Sequence, residues 1–240
     1  MYRISTYLLA GLLLFGSMSL PGLAQAAYSA TNPALTTQPQ AERPKKFLLL
    51  PPQMFVGEIS AGGVIQKQED WTRQSSENLL LAAEAVMRDR QLQTVRLPAL
   101  DEQSMEIIES HIGLYDRLAL AIYLYGRGQD SAWKHRHDAW DYTLGNGLSF
   151  LREKTGADSA LIFIGTDIIS SGGRKAAFTA ALLLGVVIPL GQSFITVGLA
   201  DLKTGDIRWM SYDQSMSLDS REAEEAEKLV QDFFKTYPAP

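Results

Sequence analysis

Between Lys175 and Asp201 the chain runs for 25 residues, Ala176 to Ala200, without a charged side chain. A stretch of this length and composition has to be buried, cross a bilayer or be covered by another surface. Its centre reads Ala180-Ala181-Leu182-Leu183-Leu184-Gly185-Val186-Val187-Ile188-Pro189-Leu190-Gly191. Gly185, Pro189 and Gly191 punctuate it, and from Phe194 onward the pattern is that of a strand. What remains is shorter than the roughly 20 apolar residues a membrane-spanning helix needs, so a single-pass helix is disfavoured. Two readings of the insert 176–193 stay open. It is a buried connecting helix or extended hairpin packed on a sheet, or it is an apolar loop that enters a bilayer or packs against identical neighbours. On the second reading Leu182, Leu183, Leu184, Val186, Val187 and Ile188 form the contact surface.

The N-terminus bears on the choice. Arg3 precedes a Leu-rich run from Tyr7 to Phe15, followed by Pro21 and the small-residue sequence Ala24-Gln25-Ala26. That order predicts a secretory signal peptide over 1–26, cleaved before Ala27. Cleavage takes one of 22 basic residues against 27 acidic ones and moves the formal charge from −5 to −6, which gives no global attraction to nucleic acid or anionic lipid. There is no cysteine, so an exported chain must rely on core burial instead of disulfides, and the lipid-attachment Cys of a lipoprotein is missing. The expected location is the periplasm or the cell envelope.

Residues 27–44, rich in Ala, Thr, Gln and Pro, read as a flexible linker, and 45–240 as a single α/β domain carrying the 176–193 insert. Phe47–Leu50, closed by Pro51-Pro52, and Phe55–Ile59 read as strands. Leu79, Leu80, Ala83, Val86 and Met87 recur at helical spacing after a Ser75 or Ser76 cap. Thr94–Leu97 reads as a strand, about 103–125 as a second helix, and Trp140, Leu144, Leu148 and Leu151 mark a third helix ending at Gly156. A strand at Ala160–Ile164 precedes a hairpin, Phe194–Leu202 and Ile207–Tyr212, turning at Lys203-Thr204-Gly205-Asp206. A last helix, opened by Asp219 and Glu222, buries Ala223, Ala226, Val230 and Phe233. The order predicts an α/β (α+β) fold, a mixed sheet with packed helices and a C-terminal β-hairpin plus helix.

No catalytic set emerges. There is no Cys nucleophile, no Gly-x-Ser-x-Gly elbow and no Ser/His/Asp grouping, and Glu58, Glu69 and Asp70 read as solvated charges. His137 and Asp141 would share a helix face beside His135 and Asp138, but two ligands fall short of a metal site and His111 is distant. No metal or other cofactor is expected. Ser170-Ser171-Gly172-Gly173-Arg174-Lys175 offers glycine N–H groups and two cations to an anion such as phosphate, without P-loop or dinucleotide spacing.

One resemblance joins these features. Gly156-Ala157-Asp158 leads a strand, Gly172-Gly173-Arg174 opens a small-residue apolar insert, and Asp201-Leu202-Lys203-Thr204-Gly205-Asp206-Ile207-Arg208-Trp209 follows. Over Gly156 to Phe234 this is similar to proteobacterial envelope proteins and to the periplasmic α/β domains of the curli-secretion-channel (CsgG-like) and TolB N-terminal families. The resemblance implies an anticodon-binding-like layered fold, in two or three layers, and an assembly or binding role instead of catalysis. It transfers no functional residue. The helices between Gln103 and Lys154 have no counterpart in it, and many of those relatives are lipidated. Leader, missing chemistry and insert together predict a non-enzymatic envelope protein whose partner is another envelope component or itself, acting through self-association or membrane contact of the insert. The alternative is a small-ligand or phosphate binder using Ser170–Lys175.

Overall fold

The computed structural model describes residues 28–125, 140–216 and 218–238. One eight-stranded mixed sheet organises them. Its strands are β1 (Tyr28–Thr31), β2 (Lys46–Leu49), β3 (Gln53–Ile59), β4 (Ile65–Lys67), β5 (Gln93–Arg96), β6 (Ser159–Ser170), β7 (Gln192–Asp201) and β8 (Ile207–Ser215). The helices are α1 (Pro33–Thr37), α2 (Glu69–Asp89), α3 (Glu102–Tyr125), α4 (Ser149–Thr155), α5 (Gly172–Leu183) and α6 (Ala223–Phe234). The fold is α+β, as the order of elements predicts.

β6 is the spine. β7 runs antiparallel along one side of it, while β2 and β3 share the other side in parallel register, β2 on Ser159–Leu161 and β3 on Ile164–Ser170. Pro51-Pro52 explains the division, because prolines carry no N–H for a ladder bond and the strand must break there. β8 and then β1 extend the β7 side, β5 closes the β2 side, and β4 pairs with β3 alone.

The sheet is buried on both faces. Leu79, Ala82, Ala83, Val86 and Met87 of α2 and Ala226, Leu229, Val230, Phe233 and Phe234 of α6 repeat at helical spacing, and both stripes meet Leu161, Phe163, Ile195, Val197 and Trp209. On the other face Ile108, Ile112, Tyr115 and Ile122 of α3, with Leu151 of α4, cover Ala160, Ile162 and Ile164. The arrangement has three layers. Gly198 allows the close approach of α3, since a Cβ there would lie 2.3 Å from the Tyr115 ring.

The hairpin forms as expected. Asp201 accepts the amide hydrogens of Lys203 and Thr204, and Gly205 takes the left-handed conformation at φ 79°. Several expectations fail. The segment 27–44 is no tether over its described part: Tyr28–Thr31 pairs with Trp209–Tyr212, and Leu35 is fully buried. α2 starts at Glu69, not at Ser75, which lies buried and bonded to Ser220. Trp140 to Leu144 is not helical. Its backbone bonds the hairpin turn instead, Ile207 donating to the Tyr142 carbonyl and Leu144 to that of Gly205, so the coiling is confined to a 3-10 turn at Asn146–Leu148 and the α-helix Ser149–Thr155 before the left-handed Gly156. Glu222 stands at the N-cap of α6 as expected but makes no side-chain capping bond, and Asp219 accepts from the Arg221 backbone and guanidinium instead. His135, His137 and Asp138 lie outside the described residues, and His111 contacts the Ile107 carbonyl.

Candidate functional site

Beyond Ser170 the chain leaves the sheet and returns at Gln192, and the residues that open and close this excursion hold each other. Ser171 caps α5, its hydroxyl accepting the Arg174 amide hydrogen at 3.0 Å. Ser170 Oγ accepts from the Gly191 amide at 2.8 Å. The Arg174 guanidinium crosses the neck and donates to Pro189 O from Nε at 2.9 Å and Nη2 at 2.6 Å, and to Ala61 O from Nη1 at 3.3 Å. Position 191 has to be glycine, since a Cβ would fall 1.9 Å from the Ile168 carbonyl oxygen.

The Ser170–Lys175 turn therefore uses its polar groups within the chain. Arg174 is buried against carbonyl oxygens, Ser171 is a cap, and Gly172 and Gly173 form the first turn of α5. An anion could take hold of Arg174 only if the guanidinium left Pro189 and Ala61. Lys175 is exposed at the base.

Above the neck, Arg174 is the only buried residue of the twelve in α5. The helix ends in a Schellman turn: Gly185, left-handed at φ 77°, donates to Leu182 O, and Val186 donates to Ala181 O. This turn projects the leucines into solvent. Leu183 is 85% exposed, Leu184 82% and Val187 75%, with Leu182 and Val186 just over half exposed and Ile188 half-buried. The buried-connector reading of 176–193 is thereby overturned at the apex. Among the described residues no helix is long and apolar enough to cross a membrane. The structure thus gathers both candidate sets into one unit, Ser170–Lys175 as its neck and Leu182, Leu183, Leu184, Val186, Val187 and Ile188 as its apex.

A buried polar cluster under the neck escaped sequence reading. Asp167 on β6 is fully buried and accepts from Ser193 Oγ, from the Ser220 amide at 2.9 Å and from Ser220 Oγ at 2.6 Å. Ser75 of α2 donates onward to Ser220 Oγ at 2.7 Å. Beside it Arg221 lies 4.0 Å over the Trp71 ring and pairs with Asp219, whose carboxyl that guanidinium holds below the usual carboxylate range. The signal available in the sequence was a lone aspartate within the strand-like run Gly165 to Ser170.

With this geometry in place, the chain can be set beside known proteins. No protein-family model matches it, and no curated protein does. Among solved structures it is similar to the PelC dodecamer from Paraburkholderia phytofirmans, at 10% identity over 87% of this chain and 93% of that one, with a TM-score of 0.40. A lipoprotein from Neisseria meningitidis shares 11% identity over 72% and 81%, with a TM-score of 0.33. The LpoB C-terminal domain from Salmonella enterica shares 14% over 76% and 90%, with a TM-score of 0.28.

Proposed function

We propose that this chain is a non-enzymatic component of the bacterial cell envelope that attaches to a lipid surface through its apex. One observation carries the reading: Leu182 and Leu183 end α5, Leu184 follows as its C-cap, and all three are exposed. Consecutive helical residues point about 100° apart, so the apolar surface wraps the tip instead of forming a stripe. A protein groove covers one face of a helix, whereas acyl chains surround what enters them. Leaving Leu183, Leu184 and Val187 largely in water forgoes up to about 1.5–3 kcal/mol each, and half-exposed Leu182 and Val186 about half of that, a penalty that lipid removes.

The dimensions agree. α5 has 12 residues, about 18 Å at 1.5 Å per residue, enough to enter one leaflet and short of the roughly 30 Å hydrocarbon core. Lys175 at its base is placed to reach headgroups while the uncharged residues beyond it sink. The leader pattern at 1–26 supports the envelope location.

Flotation with phosphatidylethanolamine/phosphatidylglycerol vesicles tests the reading. The parent chain should float, and Leu183→Asp with Val187→Asp should stay in solution with stability changed by no more than about 0.5 kcal/mol, as befits exposed sites. A double variant that floats like the parent overturns the proposal. So does one that keeps flotation but loses native mass, which assigns the apex to a second copy of the chain.

A further inference from the structure

β1 lies at the edge of the sheet, and the ladder that holds it there has room for one more residue. Tyr28 stands opposite Tyr212 and Thr31 opposite Trp209, and the register continues into Asn32, whose amide donates to Arg208 O at 2.9 Å. Opposed residues of an antiparallel ladder alternate between hydrogen-bonded and closely spaced pairs. Tyr28 and Tyr212, four positions along from Asn32 and Arg208, are therefore a hydrogen-bonded pair. The next residue of β8 is Asp213, and the strand runs on to Ser215. A residue opposite Asp213 belongs to a closely spaced pair, about 4.5 Å away at Cα.

Asp213 is a carboxylate without an answer. Side chains alternate along β8, so it shares the face of Trp209, the one α6 covers. It is half-buried, and among the described residues it has neither an ion pair nor a side-chain hydrogen bond. The charge it faces there is like its own, that of Asp232 on α6, which Lys235 already satisfies at 2.5 Å. Burial first, and Asp232 second, hold the Asp213 carboxyl above the usual carboxylate range. What this position lacks is a cation.

Ala27, just ahead of the described residues, is next in the register. Ala24-Gln25-Ala26 marks the bond before it for cleavage. Hydrolysis there adds water across the Ala26–Ala27 peptide and leaves a carboxylate on Ala26 and an ammonium on Ala27. We propose that this new ammonium pairs with the Asp213 carboxylate and locks β1 onto the sheet. The inference rests on cleavage before Ala27. In the uncut chain the same nitrogen is a neutral amide, Asp213 stays unpaired, and the edge strand is held less firmly. Removal of the leader thus completes the fold as well as freeing it.

Thermal unfolding of four chains tests this. Residues 27–240, released from a fusion that leaves nothing extra, are compared with the same chain preceded by Gln25-Ala26, which displaces the ammonium by two residues. Each is made with Asp213 and with Asp213→Asn, a change of equal shape. In the chain beginning at Ala27, Asp213→Asn should lower Tm by about 2–4 °C, the loss of one such contact in a chain of this size. In the extended chain it removes an unpaired carboxylate beside Asp232, so Tm should stay level or rise. Amide exchange at Ala30 should be about five-fold faster in the extended chain than in the one beginning at Ala27, with β6 unchanged. Asp213→Asn acting alike in both chains overturns the proposal, as does equal exchange at Ala30. So does mass spectrometry of protein from the native host that finds a first residue other than Ala27.

Discussion

Asp167 shows what a single side chain does here. Its carboxylate is the common acceptor for a β7 serine and for the segment leading into α6, and Ser220 relays the contact to Ser75 on α2. A hydrogen bond to a charged group contributes about 1.5–3 kcal/mol net. Ser220→Ala removes one such donation, and the loss should appear as a urea midpoint lowered by that free energy divided by the unchanged m-value. An unchanged midpoint would show that the carboxylate finds another donor. The cluster was not legible in the sequence because its partners stand 26 and 53 residues from Asp167 and come together only when β6, β7 and the α6 approach are assembled. By contrast, the turn chemistry of Asp201 and Gly205 was legible, since every group it uses lies within a few residues.

Among the elements, those whose burial follows their own periodicity were readable and those defined by distant pairing were not. α2, α3 and α6 show continuous stripes. β1 owes its existence to β8, some 180 residues away, and its half-buried residues carry no alternation that sequence could reveal. Trp140 to Leu151 has helical spacing, yet pairing with the hairpin and Gly145 at φ 71° prevail up to Asn146, where a 3-10 turn leads into α4. The apex was readable as apolar but not as exposed, because a buried and an exposed excursion have the same composition. Its rigidity rests on the neck. Arg174→Met leaves the carbonyls of Pro189 and Ala61 without their donor, so amide exchange at Gly191 and through α5 should accelerate by at least about ten-fold while the sheet amides keep their rates. Equal rates at Gly191 in variant and parent would mean that Ser170 alone closes the excursion.

At the scale of the whole molecule, the two cores respond together to alkali. Burial pushes the Tyr237 phenol up to about 12 against the opposing pull of Arg43 and Arg90, and burial also raises Tyr115 on the other face of the sheet. A phenol raised above its ordinary value of about 10 is favoured in its neutral form by the folded state. The stability it adds is therefore complete below pH 10 and is lost as the pH climbs through 12, at about 1.4 kcal/mol per pH unit for each such group. Near-ultraviolet circular dichroism should show cooperative loss of tertiary structure in that window, and Tyr237→Phe should move the onset to higher pH. An onset that does not move would place the weak point elsewhere.

The length of β6 has a consequence of its own. Its 12 residues run from the hairpin-turn end of the sheet, where Ser159 pairs with Asp201, to the neck, and at about 3.3 Å per residue the two ends stand roughly 35 Å apart, more than twice the depth of one leaflet. A body moored at one end of such a strut would hold the other end clear of the interface. The opposite rim of the sheet would then face open water.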